Sequence, residues 1–266
     1  MKPIPVLGIP HFNRPDLLAR CIESIDYPVH KLVIIQNGPK PKMIQLQGNK
    51  ILGVDPSYID EDGGPPEYIK LGQYNKKLIS NIKRVTHPNA GVAGAWNEII
   101  KLYPAPWWLI SNNDIRFAPG DLEKMVKWWD EYPTAQMIYG NHGASWFGIK
   151  AEAVAQAGLF DENIYPAYLE DCDMSYRFDR LGLARMTVAD VKSVHGDEKF
   201  SGSATIMSDP LIHQKNQITH GANFDYYRRK WGGPNERETF KTPFNDPNWP
   251  LWAWKFEPET RAKNQW

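Results

Sequence analysis

The sequence is poor in cysteine and has no long apolar run. Its two cysteines, Cys21 and Cys172, lie far apart, so we expect neither a disulfide framework nor a cysteine metal site, and a reducing compartment is the simpler inference. No apolar stretch approaches the roughly 20 residues of a membrane-spanning helix. The amino terminus also lacks the basic-then-apolar pattern of a signal peptide. These absences predict a soluble, cytoplasmic protein.

An excess of charge of either sign is also missing. The 31 basic and 31 acidic residues cancel. This balance argues against a dedicated nucleic-acid-binding protein, although it leaves room for a local basic patch. A chain of 266 residues can form one large α/β domain or two small ones, and it is long enough for a substantial core.

The chain instead contains an alternation of short apolar strands and amphipathic helices. Residues 6–9 and 32–35 are apolar runs typical of buried strands, and apolar side chains at helical spacing lie between them. Similar stripes predict helices over residues 92–103 and 122–129. Strand–helix–strand units of this length pair in parallel, so we predict an α/β fold with a mostly parallel sheet.

One apolar run, residues 107–110, ends in Ser111, Asn112, Asn113 and Asp114. In open α/β sheets ligands bind beyond the carboxyl ends of the strands, so these polar groups suit a metal-bound, hydroxyl-rich ligand. An Asx-rich turn that caps the strand explains the same residues equally well.

A second polar cluster begins with Glu170 and Asp171. The spacing of the following residues predicts a helix that ends at Gly182, with Asp173 and Arg177 paired one turn apart. Acidic residues are favoured at a helix amino terminus by the dipole alone. Three acids in the first turn exceed what a cap needs, so one of them is a candidate for a functional role.

Three further features each have a functional and a structural interpretation. Gly91, which opens a helix, could approach a phosphate or serve a plain turn. Residues 140–148 are expected to form a loop in which His142 and Trp146 could hold a sugar, or in which the tryptophan is simply buried. His195 closes an apolar segment. It could be a metal ligand, or a strand-end residue whose hydrogen bonds are made within the protein.

The last 44 residues, 223–266, interleave aromatic and basic residues among prolines. Such a segment can bind single-stranded nucleic acid, lie at a membrane interface or wrap over the domain. Because it shows no helical or strand period, we expect an irregular aromatic-rich arm packed on a domain of residues 1–222.

Taken in order, five short motifs resemble those of the family-2 inverting glycosyltransferases, which have the Rossmann-like A-type nucleotide-sugar fold. The resemblance covers roughly residues 4–200. The motifs are Gly8-Ile9-Pro10-His11-Phe12-Asn13-Arg14-Pro15, Val33-Ile34-Ile35-Gln36-Asn37-Gly38, Asn89-Ala90-Gly91 to Asn97, Ser111-Asn112-Asn113-Asp114, and Glu170-Asp171 with Arg177.

The resemblance implies a single domain with a donor half, about residues 1–115, and an acceptor half, about residues 116–222. It implies a nucleotide-diphosphate sugar as donor and an acceptor hydroxyl on a glycan, a lipid-linked group or a nucleic-acid base. The expected donor contacts are Pro10, His11, Asn13, Gln36, Asn37, Gly91, Asn97, Asn112 and Asn113, and the expected acceptor contacts are His142 and Trp146.

The same resemblance implies that Asp171 is the general base, with Glu170 as a second catalytic residue. Asp114 and His195 correspond to metal ligands for Mn²⁺ or Mg²⁺, and the histidine favours Mn²⁺. Asn112 and Asn113 stand where aspartates are common in the family, so fewer negative charges would hold the metal.

Three alternatives follow from the same residues. A sugar-nucleotide pyrophosphorylase would need a glycine-rich basic loop after the first strand, and His11-Phe12-Asn13-Arg14 is not such a loop. A non-catalytic carbohydrate-binding relative would fit the missing aspartates and the aromatic arm. A phage-type transferase that glycosylates modified DNA bases would use the same chemistry and would be retained on DNA at moderate salt.

Overall fold

The computed structural model describes residues 2–37, 77–86 and 89–251. The excursion expected at residues 53–75 and the aromatic residues after Leu251 lie outside these ranges. The strands are β1 Leu7–His11, β2 Leu32–Gln36, β3 Ile82–Thr86, β4 Trp107–Ser111, β5 Ile115–Arg116, β6 Ala135–Gly140, β7 Gly143–Lys150, β8 Ala184–Thr187 and β9 Val194–His195. The helices are α1 Pro15–Glu23, α2 Gly91–Leu102, α3 Asp121–Glu131, α4 Ala151–Ala157, α5 Glu170–Leu181, α6 Ala204–Met207 and α7 Pro210–Trp231, followed by a 3₁₀ turn at Pro243–Asn245.

Seven of these strands form one sheet in the order β3-β2-β1-β4-β7-β6-β8. The strands β1, β2, β3 and β4 are parallel, and β7 is antiparallel to both of its neighbours. The remaining two strands, β5 and β9, form a separate antiparallel ribbon. The mostly parallel sheet predicted from the sequence is therefore confirmed.

Helices cover both faces of the sheet. One apolar core lies under α1 and α3, with Leu18 and Met125 fully buried. The other lies under α2, α4 and α5, where Trp96 and Phe178 are buried. Helix α2 lies so close to β1 that a Cβ added to Gly8 would meet the Ile99 Cδ1 at 2.5 Å, so this position requires glycine.

The expected loop over residues 140–148 is instead a β-hairpin, because β6 ends at Gly140 and β7 begins at Gly143. Side chains alternate between the two faces of a strand, and this alternation turns Trp146 into the core, where its ring lies 5.3 Å from that of Phe117. A Cβ at Gly140 would meet the indole at 1.8 Å, so the glycine makes room for the buried tryptophan.

Helix α7 continues to Trp231, so irregular chain begins at Gly232 rather than at residue 223. Asp209 caps this helix by accepting hydrogen bonds from the Leu211 and Ile212 N–H groups. Its buried face is mainly polar and aromatic, which hides the helical period from a search for apolar stripes. After the helix, Phe244 packs back onto Tyr226, with ring centroids 6.1 Å apart.

None of the helices in the described ranges combines the length and the apolar character that crossing a membrane requires.

Candidate active site

A cavity of about 400 Å³ lies at the carboxyl ends of the parallel strands. Pro10 comes from the end of β1, Asn37 follows β2 and Asn112 follows β4. This is the edge of an open α/β sheet at which ligands bind. Ten residues singled out from the sequence line the cavity together, namely Pro10, Asn37, Gly91, Asn112, Asn113, Asp114, His142, Glu170, Asp171 and His195.

The β5–β9 ribbon brings Asp114 and His195 together. Ile115 is paired with His195 in the ribbon, and the Gly196 N–H donates to the Asp114 carbonyl oxygen at 2.8 Å. The His195 Nε2 lies 3.3 Å from the Asp114 Oδ1. The other carboxylate oxygen, Oδ2, accepts a hydrogen bond from the Ala204 N–H at 3.0 Å, which fixes the carboxylate.

The side chains of Asp114 and His195 are close enough to act as two neighbouring ligands of one divalent cation. The His195 Nε2 is buried and has no hydrogen-bond partner among the described residues, so its lone pair or proton is not otherwise used. In an octahedral site with bonds of about 2.1 Å, adjacent ligand atoms lie about 3 Å apart, close to the observed separation. Within residues 2–37, 77–86 and 89–251, no group of three His, Cys, Asp or Glu side chains could hold a metal, so further ligands would come from the bound substrate and water.

The charge of the cavity also favours a cation. Three carboxyl groups line it, those of Asp114, Glu170 and Asp171, and no lysine or arginine is among the described lining residues. A polyphosphate could enter such a site only with a compensating positive ion.

The other two carboxyl groups stand at the amino terminus of α5, as predicted. Tyr168 and Leu169, just before this helix, both have positive φ angles of 76° and 81°. Non-glycine residues in this conformation cost about 1–3 kcal/mol each and cluster at functional sites. The Asp171 side chain is partly exposed, and its Oδ1 accepts the Cys172 N–H at 2.9 Å.

Glu170 differs from its neighbour because it is buried, with 6% of its surface exposed. Burial and the charge of Asp171 raise the pKa of Glu170 well above its usual range, although the backbone N–H groups of Glu170 and Tyr168 oppose the shift. Its Oε2 has no hydrogen-bond partner among the described residues. The raised pKa favours the neutral form of the Glu170 carboxyl group.

Gly91 lines the cavity, but its N–H donates to the Asn89 Oδ1 at 3.0 Å. The next N–H, of Val92, donates to the Pro166 carbonyl at 2.7 Å. Both groups are occupied, so this helix start does not offer them to a phosphate. The glycine is explained by its φ of 74° and by Tyr165, whose Cδ2 would lie 2.8 Å from an added Cβ.

Three expected donor contacts, His11, Asn13 and Gln36, do not line the cavity. The Gln36 Oε1 lies 2.9 Å from the His11 Nδ1 and accepts a hydrogen bond from the Arg84 Nη2 at 3.1 Å. These side chains are therefore hydrogen-bonded to one another. Burial is the main cause that lowers the pKa of His11 to about 4. Asn13 donates instead to the Thr205 carbonyl oxygen.

Asn97 and Trp146, which were also expected to contact a ligand, do not line the cavity. Asn97 is fully buried, and its amide spans the Phe160 backbone by donating to the carbonyl oxygen and accepting from the N–H, each at 2.9 Å. Trp146 is fully buried in the core and does not line the cavity. His142 does line the cavity, and its ring lies 5.5 Å from that of His195.

One wall of the cavity, which later parts of the chain supply, was not expected from the sequence. Six residues of this wall are Tyr168, Ser203, Thr205, Ile206, Ile212 and Asn216. A usable signal was present, because Asp209-Pro210 is a helix start followed by buried Asn216, Thr219 and Asn223 at helical spacing.

Residues 68–169 match the model of the family described as Glycosyl transferase family 2. The mannosyltransferase PcManGT from Pyrobaculum calidifontis, solved with GDP-Man and Mn²⁺, superposes with a TM-score of 0.55 at 16% identity, over 84% of this chain and 64% of that one. GalNAc-T7, solved with UDP, GalNAc and Mn²⁺, gives 0.52 at 14% identity, over 85% of this chain and 49% of that one. This chain thus spans less than two thirds of either protein. No curated protein matches the sequence.

At such identities the structural likeness shows the fold alone, which is the A-type glycosyltransferase fold expected from the sequence. The family match bears out the resemblance over residues 68–169 and supports a role in glycosyl transfer.

Proposed function

We propose that this chain is an inverting glycosyltransferase that moves a sugar from a nucleotide-diphosphate donor to an acceptor hydroxyl. The observation that carries the proposal is the convergence of Asp114, His195 and Asp171 on one cavity at the strand ends. These residues come from three distant parts of the sequence, and the family match over residues 68–169 includes Asp114.

In this proposal the donor half is about residues 1–115. Asp114 and His195 would hold Mn²⁺ or Mg²⁺, and the imidazole favours Mn²⁺. The cation would neutralise charge on the diphosphate leaving group. Asn113 is not free to act as a ligand, because its Oδ1 accepts from the Thr205 hydroxyl and its Nδ2 donates to the Asn13 carbonyl, each at 3.0 Å.

Asp171 is the proposed general base. It lines the cavity and is partly exposed, so in this proposal its carboxylate accepts a proton from an acceptor hydroxyl. The hydroxyl oxygen would then attack the anomeric carbon opposite the leaving diphosphate. A single displacement of this kind inverts the anomeric configuration, and general-base help contributes about 10²–10⁴-fold.

The test compares Asp171→Asn with the wild-type protein. Wild-type protein is first incubated with Mn²⁺ and a panel of nucleotide sugars, including GDP-mannose and UDP-N-acetylgalactosamine, and slow donor hydrolysis is measured. We expect Asp171→Asn to lower turnover by about 10²–10⁴-fold and to change donor affinity little, because the base acts on the acceptor or water.

Asp179→Asn is the matched control, since Asp179 lies on the same helix with 59% of its side chain exposed and pairs with Arg185. It should leave turnover unchanged. Undiminished turnover in Asp171→Asn would refute the assignment of the base.

One observation favours a second candidate, a carbohydrate-binding relative without transferase activity. Asp114 and His195 supply two potential metal ligands, the described residues contain no group of three His, Cys, Asp or Glu that could hold a metal, and Asn112 and Asn113 add no charge. Binding of nucleotide sugars without hydrolysis of any of them would favour this candidate.

A further inference from the structure

Besides the His195 Nε2, three buried polar groups on the cavity wall have no hydrogen-bond partner among the described residues. They are the Trp96 Nε1, the Glu170 Oε2 and the Asn216 Oδ1. The residues are exposed by only 2%, 6% and 4%. Because buried polar groups in folded proteins are nearly always paired, three unpaired groups on one cavity indicate that a ligand completes them.

The position of Asn216 follows from the way α7 packs along residues 161–168. The Tyr226 hydroxyl donates to the Asp161 Oδ2 at 2.8 Å, and one turn earlier the Asn223 Nδ2 donates to the Ala167 carbonyl at 2.9 Å. One further turn back, the His220 ring lies 5.4 Å from that of Tyr168. The next turn presents Asn216 and brings it to the cavity that Glu170 and Asp171 line.

Glu170 supplies the second group. It lies two residues after Tyr168, at the start of α5, and lines the same cavity as Asn216. Burial and the adjacent Asp171 charge raise the pKa of this carboxyl. A neutral carboxyl group can donate one hydrogen bond and accept others.

Trp96 supplies the third group. Its ring is held by edge contacts to Phe147 and Phe160, at centroid distances of 5.0 and 4.8 Å. The indole N–H is a donor only, the carboxamide of Asn216 offers both a donor and an acceptor, and a protonated carboxyl also offers both.

A ligand that completes this set must itself both donate and accept hydrogen bonds. Hydroxyl groups do so, whereas carboxylates and phosphates only accept and ammonium groups only donate. An additional carboxylate would also meet the carboxyl groups of Asp114 and Asp171 with no lysine or arginine on the described wall. Apolar neighbours, including Val92 and Ile212, suit the C–H faces of a sugar ring.

We propose that Asn216, Glu170 and Trp96 form a subsite for the hydroxyl groups of a neutral sugar, and that this subsite selects neutral sugars over uronic acids. The proposal rests on the glycosyltransferase function proposed above. Asn216 is then a specificity-determining residue contributed by α7.

The test uses two pairs of ligands that differ in the oxidation of one carbon, UDP-glucose with UDP-glucuronate and methyl glucoside with methyl glucuronide. Their binding to the full chain with Mn²⁺ is measured by calorimetry or ligand-observed NMR. We expect the neutral member of each pair to bind at least about tenfold more tightly, which is the size of one typical hydrogen bond.

The diagnostic variant is Asn216→Leu, which removes the carboxamide at similar volume. It should weaken binding of the neutral ligands by about tenfold and leave the affinity for UDP unchanged. Gln217→Leu is the matched control, because Gln217 is the next residue of the helix and is exposed. It should change neither affinity.

The outcomes separate this proposal from the proposed function. If neutral and acidic ligands bind equally or not at all, or if Asn216→Leu changes nothing, the subsite is refuted, while hydrolysis of a nucleotide sugar would still support the transferase. If neutral glycosides bind through Asn216 and no nucleotide sugar is hydrolysed, the subsite stands and the transferase is refuted.

Discussion

Two buried polar clusters lie against helix α5, and they differ in whether their charges are paired. The first, which we call the ion cluster, consists of Asp161, Asp173, Arg177 and Lys230. The Lys230 Nζ lies 2.7 Å from the Asp161 Oδ2 and 2.6 Å from the Asp173 Oδ1, and the Arg177 Nη2 lies 2.8 Å from the Asp173 Oδ2. Two positive and two negative groups thus balance inside the protein.

The second cluster is the cavity, with the carboxyl groups of Asp114, Glu170 and Asp171 and the imidazole of His195. It leaves polar atoms unpaired and carries an excess of acidic groups. The two positive and two negative charges of the ion cluster balance within the chain, whereas in our proposals the cavity takes a cation and hydroxyl groups from outside. Balance of charge within the chain, rather than burial of charge alone, thus distinguishes the ion cluster from the cavity.

The ion cluster also explains how the cavity keeps its shape. It joins α5, which carries Asp171 at its start, to α7, which carries Asn216. Burial alone would raise the pKa of Asp173, but the charges of Lys230 and Arg177 lower it, so the carboxylate stays ionised and bound. Lys230 therefore positions both walls of the cavity without lining it.

The largest expected effect comes from breaking the ion cluster with Lys230→Met. Asp161 and Asp173 would lose their shared cation while both side chains remain fully buried. Removal of one partner from a buried ion pair costs about 3–5 kcal/mol. We expect a loss of this size in the free energy of unfolding, measured by urea denaturation.

Lys127→Met is the control for this prediction, since Lys127 is exposed and its pair with Glu123 one turn earlier is screened by solvent, so we expect little change in the free energy of unfolding. Similar losses in the two variants would show that the buried cluster contributes no more than a surface pair. If Lys230→Met is too unstable to purify, Asp161→Asn gives the same comparison with the neighbouring charge retained.

The sequence predicted the two clusters unequally well. The Asp173–Arg177 pair was predictable because residues four apart face each other on a helix. Asn112 was expected at a ligand site because it follows a strand of a parallel sheet, whereas Asn37 was expected there from the family resemblance. The partners of Lys230 could not be assigned, because they lie 69 and 57 positions earlier in the chain and only the packing of α7 reveals them.

The errors at the site have local physical causes. Trp146 was expected to face a ligand because residues 140–148 looked like a loop, but a two-residue turn makes them a hairpin whose alternation buries the indole. Gln36 and Asn97 are polar residues that satisfy neighbouring backbone and side-chain groups. Sequence alone does not distinguish such a use from ligand binding.

A smaller effect is expected from altering the metal pair of the cavity with Asp114→Asn. The neutral amide keeps the shape and the contact with Ala204 but removes the charge that faces His195. We expect the affinity for Mn²⁺ in the presence of UDP or GDP to fall at least 10–100-fold, roughly the loss seen when even an outer partner of a metal site is removed. Mn²⁺ binding can be followed by electron paramagnetic resonance.

Asp130→Asn is the matched control, because Asp130 is 68% exposed and pairs only loosely with Lys2 at 3.5 Å. If the two variants bind Mn²⁺ equally well, the cavity differs from the ion cluster only in lacking partners, and the assignment of a cation to it is wrong.

The smallest effect is expected from Glu170→Gln, which sharpens the comparison by imitating a neutral carboxyl group. Since burial and Asp171 raise the pKa of Glu170, its contribution to stability is full below its ordinary pKa and is lost as the pH rises through the raised value. The glutamine variant lacks this loss. Its unfolding free energy should therefore exceed that of the wild-type protein by a margin that grows as the pH rises above the ordinary pKa of a glutamate, measured by urea denaturation at each pH. Glu131→Gln, at an exposed position at the end of α3, should follow the wild-type profile. Parallel profiles for Glu170→Gln and the wild-type protein would mean that Glu170 is ionised, and the cavity would then share with the ion cluster a charge that needs a counter-ion rather than a hydroxyl.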